Sequence, residues 1–486
     1  MTIAEEISIY KVPKTMAFTQ FSEAIIEGER TVYHLKYPSL TSDDIQQMMN
    51  VVEANRESYL ASLTTQEIVE KIDQAIQKWL DPDYPLRRRA EQLLPVITGY
   101  DKDMVRLELK KYMRTFRKKE LLRFLDEEFD QPAMLDEFRP RKSGGMSRAF
   151  GPNTLFHVFS GNVPGVQIWS LIMGLLLKSA TLGKTSLSEP LLPVLFAQSL
   201  EEVDEKLAET LAILPWKGGT AELENAAIAN ADAVIVYGSN KTVETMRQRV
   251  PLDKPFLTYG HKISFAVIGK EALTPDLYYE TIYKLAEDIS IYDQQSCLAP
   301  QSVFVEQGGA ISPKQFAQIL ASELGRYHKK RPRARLTDEE AMAIQKLRDR
   351  YQFEALQGDQ VEVYASQTNT AWTVVYHEEA GFEGSPLNRS IHIFSSENLE
   401  RDVLSIKPYQ SLLQSCGLAV APDRLFTLAD RLGHYGVNRI CSVGEMNSAK
   451  PGWHHDGGFN LLDLVRIVDI ERDVEQKMEA FDPDVE

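Results

Sequence analysis

The chain has 486 residues, a formal charge of −16, 43% hydrophobic and 26% charged residues, which is ample for more than one packed core and ordinary for a folded protein. The acidic balance argues against a nucleic-acid footprint, which needs a net basic face, and three cysteines without CxxC spacing exclude a disulfide framework and fit a reducing compartment. The longest apolar run, residues 166–177, contains Gln167 and Ser170 and is too short to span a bilayer, and the acidic first residues lack a signal pattern, so a cytoplasmic location is expected.

Residues 1–145 are expected to form a mostly helical region packing on the domain that follows. Weak alternation to about Tyr37 suggests a small peripheral sheet. Residues 42–139 carry helical periodicity with charge-rich faces, as in helices packed outside a core, interrupted at Asp81-Pro82-Asp83-Tyr84-Pro85. A linker-like stretch, Arg139-Pro140-Arg141-Lys142-Ser143-Gly144-Gly145, ends the region. Residues 146–260 then alternate: a strand over 155–159, a helix over 166–179, a strand over 180–183, a helix over 192–211 and an uncharged strand over 233–237. This order predicts an α/β, doubly wound dinucleotide-binding domain with ligands at strand C-termini. A second α/β domain, residues 261–445, opens with a strand over 263–268. A segment over 446–486 is expected to return to the active-site and cofactor side.

Neither familiar phosphate motif is present. Gly183-Lys184-Thr185 imitates the end of a P-loop, but the required first glycine falls on Lys178, and no GxGxxG follows a predicted strand. Four strand-end segments offer another route. Gly161-Asn162-Val163-Pro164 supplies an amide donor for an oxyanion. Lys184-Thr185-Ser186 supplies a cation and hydroxyls for a ribose or phosphate. Gly238-Ser239 opens a helix whose N-terminus suits a pyrophosphate. The fourth is Cys297, in a polar loop between an amphipathic helix (Tyr278, Ile282, Leu285, Ile289) and a strand over 301–305. A lone cysteine is by default a buried apolar residue. The order and placement of the other three segments outweigh that default.

In this order the segments resemble the aldehyde dehydrogenase superfamily, and more closely the long-chain fatty acyl-CoA reductases of bacterial luminescence systems, the LuxC family. The likeness rests on His157-Val158-Phe159-Ser160-Gly161-Asn162-Val163-Pro164, Lys184-Thr185-Ser186, Tyr259-Gly260-His261-Lys262, Tyr292-Asp293-Gln294-Gln295-Ser296-Cys297 and a late His455-Asp456-Gly457. It runs from about Phe150 to Val468. The resemblance implies an aldehyde dehydrogenase-like fold and Cys297 as the nucleophile that accepts an acyl group from a thioester. It implies Asn162, with the Cys297 backbone N–H, as the oxyanion donor, and Lys184, Thr185, Ser186, Gly238 and Ser239 as the cofactor site. Hydride from a nicotinamide then releases the acyl group as an aldehyde. Hydrolytic aldehyde dehydrogenases carry a general-base Glu where this chain has Thr258, and Thr is no base near neutral pH. Acyl reduction or acyl exchange is therefore expected over hydrolysis. The third residue after Lys184 is Leu187, where many NAD-preferring relatives have a Glu that binds ribose hydroxyls, so NADPH is expected, with NADH open because Glu189 is near.

His157 reads as a packed, hydrogen-bonded core residue, Cys416 and Cys441 as structural, and His261, beside Lys262, as a candidate proton relay. No metal is expected at Trp453-His454-His455, where adjacent imidazoles cannot easily point the same way; an active-site loop fits better. The acyl donor is expected to be acyl-CoA or an acyl-carrying partner protein, and the enzyme a homo-oligomer. A short-chain CoA-acylating aldehyde dehydrogenase and a Cys-acylated transfer partner without reductase activity remain the alternatives.

Overall fold

Largely apolar runs separated by helices become the strands of two large sheets, one in each of two units of the computed structural model, which describes residues 3–358, 360–481 and 484. The first unit comprises Met1–Ile97, Glu108–Gly260 and Gly458–Glu486, and the second comprises Thr98–Leu107 and His261–Gly457.

In the first unit, Ile3–Ser8 (β1), Phe21–Glu27 (β2) and Thr31–Pro38 (β3) form a small sheet in the order β1-β3-β2. Met146–Phe150 (β5) pairs on one side with Arg139–Pro140 (β4) and on the other with the late strand Arg466–Ile470. The main sheet contains Thr154–Val158 (β6), Ala180–Thr185 (β7), Leu211–Pro215 (β8), Ala233–Tyr237 (β9) and Phe256–Tyr259 (β10), all parallel, in the order β10-β9-β6-β7-β8. Strand order reverses between β6 and β9. That switch point is where an open parallel sheet leaves a crevice beyond its C-terminal edge.

Helix Ser42–Ser58 starts at a capping box between Thr41 and Asp44 and lays Ile45, Met48, Met49 and Val52 on one face of this sheet, against Phe156, Leu182, Leu214 and Val236. It is thus part of a core rather than packed outside one. On helix Thr65–Leu80, Trp79 is fully buried and donates to Ser199 Oγ at 2.8 Å.

The helix expected over 192–211 is a shorter one. Leu191–Glu201 ends, a single turn Glu205–Ala208 follows, and Leu211–Pro215 is the edge strand β8. A short apolar run fits either state by periodicity alone. Here long-range pairing decides: Ile213 exchanges both backbone hydrogen bonds with Lys11, at 2.6 and 2.9 Å, which covers the open edge.

The second unit contains Ile263–Ile268 (β11), Pro300–Glu306 (β12), Val361–Ala365 (β13), Thr373–His377 (β14), Ser390–Ser396 (β15), Leu413–Ala419 (β16) and Arg439–Ser442 (β17). They form one sheet in the order β13-β14-β15-β12-β11-β16-β17, parallel except for the edge strand β13. Helices Tyr278–Ser290 and Pro313–Lys330 bury Ile282, Leu285, Ile289, Phe316 and Leu320 on one face. The aromatics Phe265, Phe304, Phe382 and Phe394 fill the other. Among the described residues no helix is long and apolar enough to cross a membrane.

Candidate active site

The first unit gathers three of the four candidate segments at the C-terminal edge of its main sheet. β6 runs into the Gly161-Asn162 turn. A Cβ at Gly161 would come within 2.1 Å of Ser188 Oγ and 3.0 Å of both Glu189 N and Ser186 Cβ, so a glycine lets this turn lie against the segment after β7; Asn162 is exposed. Lys184 is the next-to-last residue of β7, paired beside Val158 and Leu214. Burial lowers the pKa of its ammonium, and the charge of Glu224 works against that shift. There is open space beside it: a Cβ on Gly218 would meet only Lys184 Nζ, at 3.6 Å, and one on Gly219 would meet nothing within 4 Å. β9 runs through Gly238 to Ser239, which N-caps helix Asn240–Arg247 by accepting from Thr242 N at 3.2 Å.

These residues fit an anionic dinucleotide. A cation, a helix start with backbone donors and unfilled space lie on one sheet edge, and Thr185 Oγ1 is buried with no partner. Glu189, which left the coenzyme open, is spent on structure. It is fully buried and accepts from Leu191 N and Leu192 N at 2.9 and 2.8 Å, and burial pushes its carboxyl up to about 7. Leu187, the third residue after Lys184, is exposed.

The second unit holds its thiol at the opposite kind of edge. Cys297 is half-buried just before β12, at the N-terminal edge of the sheet, where β11 and β16 also begin. Ser264 Oγ donates to the Cys297 carbonyl at 2.6 Å and accepts from Ser415 N at 3.1 Å. The β11 ladders to β12 and β16 both shift register at this point, as bulges beside active sites do.

The backbone ahead of the thiol is strained. Tyr292, Asp293 and Gln294 have φ of 50°, 51° and 65°, and Leu387, Asn388 and Arg389 have 60°, 56° and 62°. Left-handed conformation costs an L-residue roughly 1–2 kcal/mol. The two segments hold one another in it. Asn388 N donates to Asp293 O at 2.9 Å, and Arg389 Nε to Asp293 Oδ1 at 2.7 Å. Gln294 pairs with Ser390 as a strand residue would: Ser390 N donates to Gln294 Oε1 at 2.8 Å, and Gln294 Nε2 donates to Ser390 O at 3.0 Å and Pro300 O at 2.7 Å. Arg389 and Asp293 are almost completely buried. The pairing with Arg389 and Ser390 is not readable from the loop itself, because those partners lie 96 residues downstream.

Ser264 ties the Cys297 carbonyl to the starts of β11 and β16, so Lys262, just before β11, and Gln414, beside Ser415, lie on the thiol's side of the sheet, and Asp456 touches both. Gln414, buried at the start of β16, donates through Nε2 to Asp456 Oδ1 at 2.7 Å, and its Oε1 has no partner. Lys262 Nζ lies 3.7 Å from Asp456 Oδ2. Burial pushes the Cys297 thiol up to about 12, and the charge of Asp456 adds to the shift; a hydrogen bond with Gln414 and the charge of Lys262 oppose it. Burial raises the pKa of Asp456 as well.

The remaining candidates sort by position. His261 lies in the turn before β11, open to solvent on one side, and partial desolvation of its ring lowers its pKa. His157 is fully buried against Phe159, but neither ring nitrogen has a hydrogen-bond partner, unlike the bonded histidine expected there; burial lowers its pKa to about 3. Cys416 and Cys441 are free thiols on the adjacent strands β16 and β17. Among the described residues no group of three or more His, Cys, Asp or Glu could hold a metal ion.

A sequence profile described as acyl-CoA reductase (LuxC) matches residues 60–467. A long-chain acyl-protein thioester reductase of Photobacterium phosphoreum is 25% identical over 445 residues, covering 90% of this chain and 86% of that protein. One of Photorhabdus luminescens is 26% identical over 432 residues, covering 88% and 85%. Among solved structures, Δ-pyrroline-5-carboxylate dehydrogenase of Mycobacterium tuberculosis bound with NAD superposes with a TM-score of 0.72 at 12% identity, covering 96% of this chain and 90% of that one. Aldehyde dehydrogenase 21 of Physcomitrella patens, in complex with succinate, gives 0.71 at 13% identity, covering 97% and 99%. The fold is aldehyde dehydrogenase-like.

Proposed function

Since the chain belongs to the acyl-CoA reductase (LuxC) family, we propose that it reduces a long-chain acyl thioester to the fatty aldehyde through an acyl-Cys297 intermediate, with NADPH as reductant. The observation that carries this reading is the thiol of Cys297, fixed by a buried polar frame, in a chain that has Thr258 where a hydrolytic relative needs a carboxylate. The acyl thioester and Cys297 exchange at nearly equal energy, because one thiolate replaces another. With no base at Thr258 to activate water, the acyl-enzyme lasts long enough to be reduced.

The protein's own groups divide the work. Ser264 and the Asp293–Arg389 pair set the Cys297 backbone. Asn162 is the proposed donor to the oxyanion, a role whose loss costs on the order of 3 kcal/mol. Lys184, Thr185, Ser186, Gly238 and Ser239 hold the nucleotide, which when bound supplies hydride. Leu187 at the ribose position, with Glu189 engaged as a helix cap, supports NADPH over NADH. His261 is retained as a candidate for moving protons near Lys262. The relatives' names point to a protein-bound acyl donor and the family description to acyl-CoA; we favour a donor that can be either.

The test is incubation of pure protein with tetradecanoyl-CoA and NADPH. The expected result is loss of NADPH absorbance with tetradecanal formed, and, without NADPH, a tetradecanoyl adduct on Cys297 seen by mass. Fatty acid as the product, or an adduct that NADPH never discharges, would sink the proposal.

A further inference from the structure

The loop that carries Asp456 is bent at a cost. Asp456 itself has φ of 53° and Gly457 follows at 82°, where a Cβ would come within 2.8 Å of Asn438 Oδ1. Two left-handed residues in succession, the second necessarily glycine, turn the Asp456 carboxylate onto Gln414 and Lys262. Gln414 is in turn fixed by its own backbone, since Asn438 N donates to Gln414 O at 2.9 Å. A carboxylate held this firmly beside a nucleophilic sulfur is a paradox if it is only a charge, because it opposes the thiolate on which acyl transfer depends. The paradox disappears if the two groups share one proton. The pair then carries a single negative charge whether it rests on oxygen or sulfur, and Lys262 faces that charge throughout.

We infer that Asp456 takes the proton of the Cys297 thiol as the acyl group arrives and gives it to the thiolate that departs. This rests on the acyl-transfer reading above and deepens it. The S–H bond of Cys297 breaks as an O–H bond forms on Asp456, and the sulfur attacks the thioester carbonyl. The bond to the donor's sulfur then breaks, and the Asp456 proton passes to that sulfur, leaving a free thiol, an acyl-cysteine and an ionised Asp456. After reduction, the Cys297 thiolate released with the aldehyde is reprotonated from solvent through the same carboxyl, which accounts for the one proton that the overall reduction consumes. The neighbouring His455 is kept neutral by burial and by Lys262, with its pKa pushed down to about 3.

Asp456→Asn separates this role from a structural one, because it moves two readouts in opposite directions. Removal of the charge makes Cys297 more reactive to iodoacetamide at pH 8, roughly tenfold for each pKa unit released. Removal of the acceptor slows formation of acyl-Cys297 from tetradecanoyl-CoA, followed by mass without NADPH, by about 100-fold, the usual contribution of a placed acid–base group. Asp456→Glu should recover part of the acylation rate. If both rates fall, Asp456 is scaffolding, and if both rise it is only an electrostatic brake; either result overturns the inference. If the wild-type protein takes no acyl group from any thioester, the functional reading fails instead. The alkylation arm needs no thioester, and unchanged alkylation in Asp456→Asn overturns the coupling of Asp456 to Cys297 by itself.

Discussion

The two sheets use opposite edges. In the first unit the candidate groups sit past the C-terminal ends of β6, β7 and β9, and they work through turns, a helix start and one lysine. In the second the thiol precedes β12 at the N-terminal edge, and side chains from distant segments hold it. A parallel sheet with a switch point offers a ligand crevice almost without extra cost, because strand ends and helix starts converge there anyway. An N-terminal edge has no such crevice. The second unit instead relies on six left-handed residues, a buried ion pair and register shifts in two ladders. A nucleotide can be met by backbone groups, whereas a nucleophile has to be aimed.

Variants in each unit test that contrast. Cys297→Ala should abolish both the acyl adduct and aldehyde formation while leaving NADPH affinity, measured by fluorescence titration, unchanged; retained activity would move the chemistry elsewhere. Arg389→Ala leaves Asp293 buried and unpaired, and should cost about 3–5 kcal/mol by urea denaturation, together with slower acylation. A loss below about 1 kcal/mol would mean that the loop does not depend on this pair.

The pH dependence of stability probes the second sheet through His392 on β15, which is fully buried and pushed down to about 3 by burial. Unfolded, it titrates near the ordinary value of about 6.5, so below that pH the unfolded chain binds a proton that the folded one refuses. Its effect is therefore absent above about pH 6.5 and destabilising below it, by about 1.4 kcal/mol per pH unit. His392→Phe should flatten the fall in urea midpoint between pH 6.5 and 5 and leave the slope above pH 7 as it was. The smallest effect belongs to the first sheet. Leu187→Glu places a carboxylate at the third residue after Lys184, and should shift the ratio of kcat/KM for NADPH over NADH by roughly tenfold toward NADH, a like-charge cost of the usual size at a partly exposed site. An unchanged ratio would place the 2′-phosphate away from Leu187.

How far the sequence reaches follows the same division. β6, β7 and β9 and their terminal Asn162, Lys184 and Ser239 were legible because each signal is local, an apolar run followed by a turn. The helix expected over 192–211 overruns its true end at Glu201 into the first residue of β8, a strand whose state depends on long-range pairing, Lys11 some two hundred residues earlier included. Cys297 could be singled out by its place between helix and strand, and His455-Asp456-Gly457 as a loop segment. What Asp456 faces could not be read.

By itself the sequence determined which residues could do chemistry and in what order they meet the sheets, because periodicity, turn residues and thiol chemistry are properties of short stretches. Tertiary structure alone decided that Asp293 finds Arg389, that Gln294 pairs with Ser390 and that Asp456 reaches Gln414 and Lys262 beside the thiol. Those contacts join segments 42 to 194 residues apart. Their strength comes from burial, which a sequence does not display until the chain has closed around it.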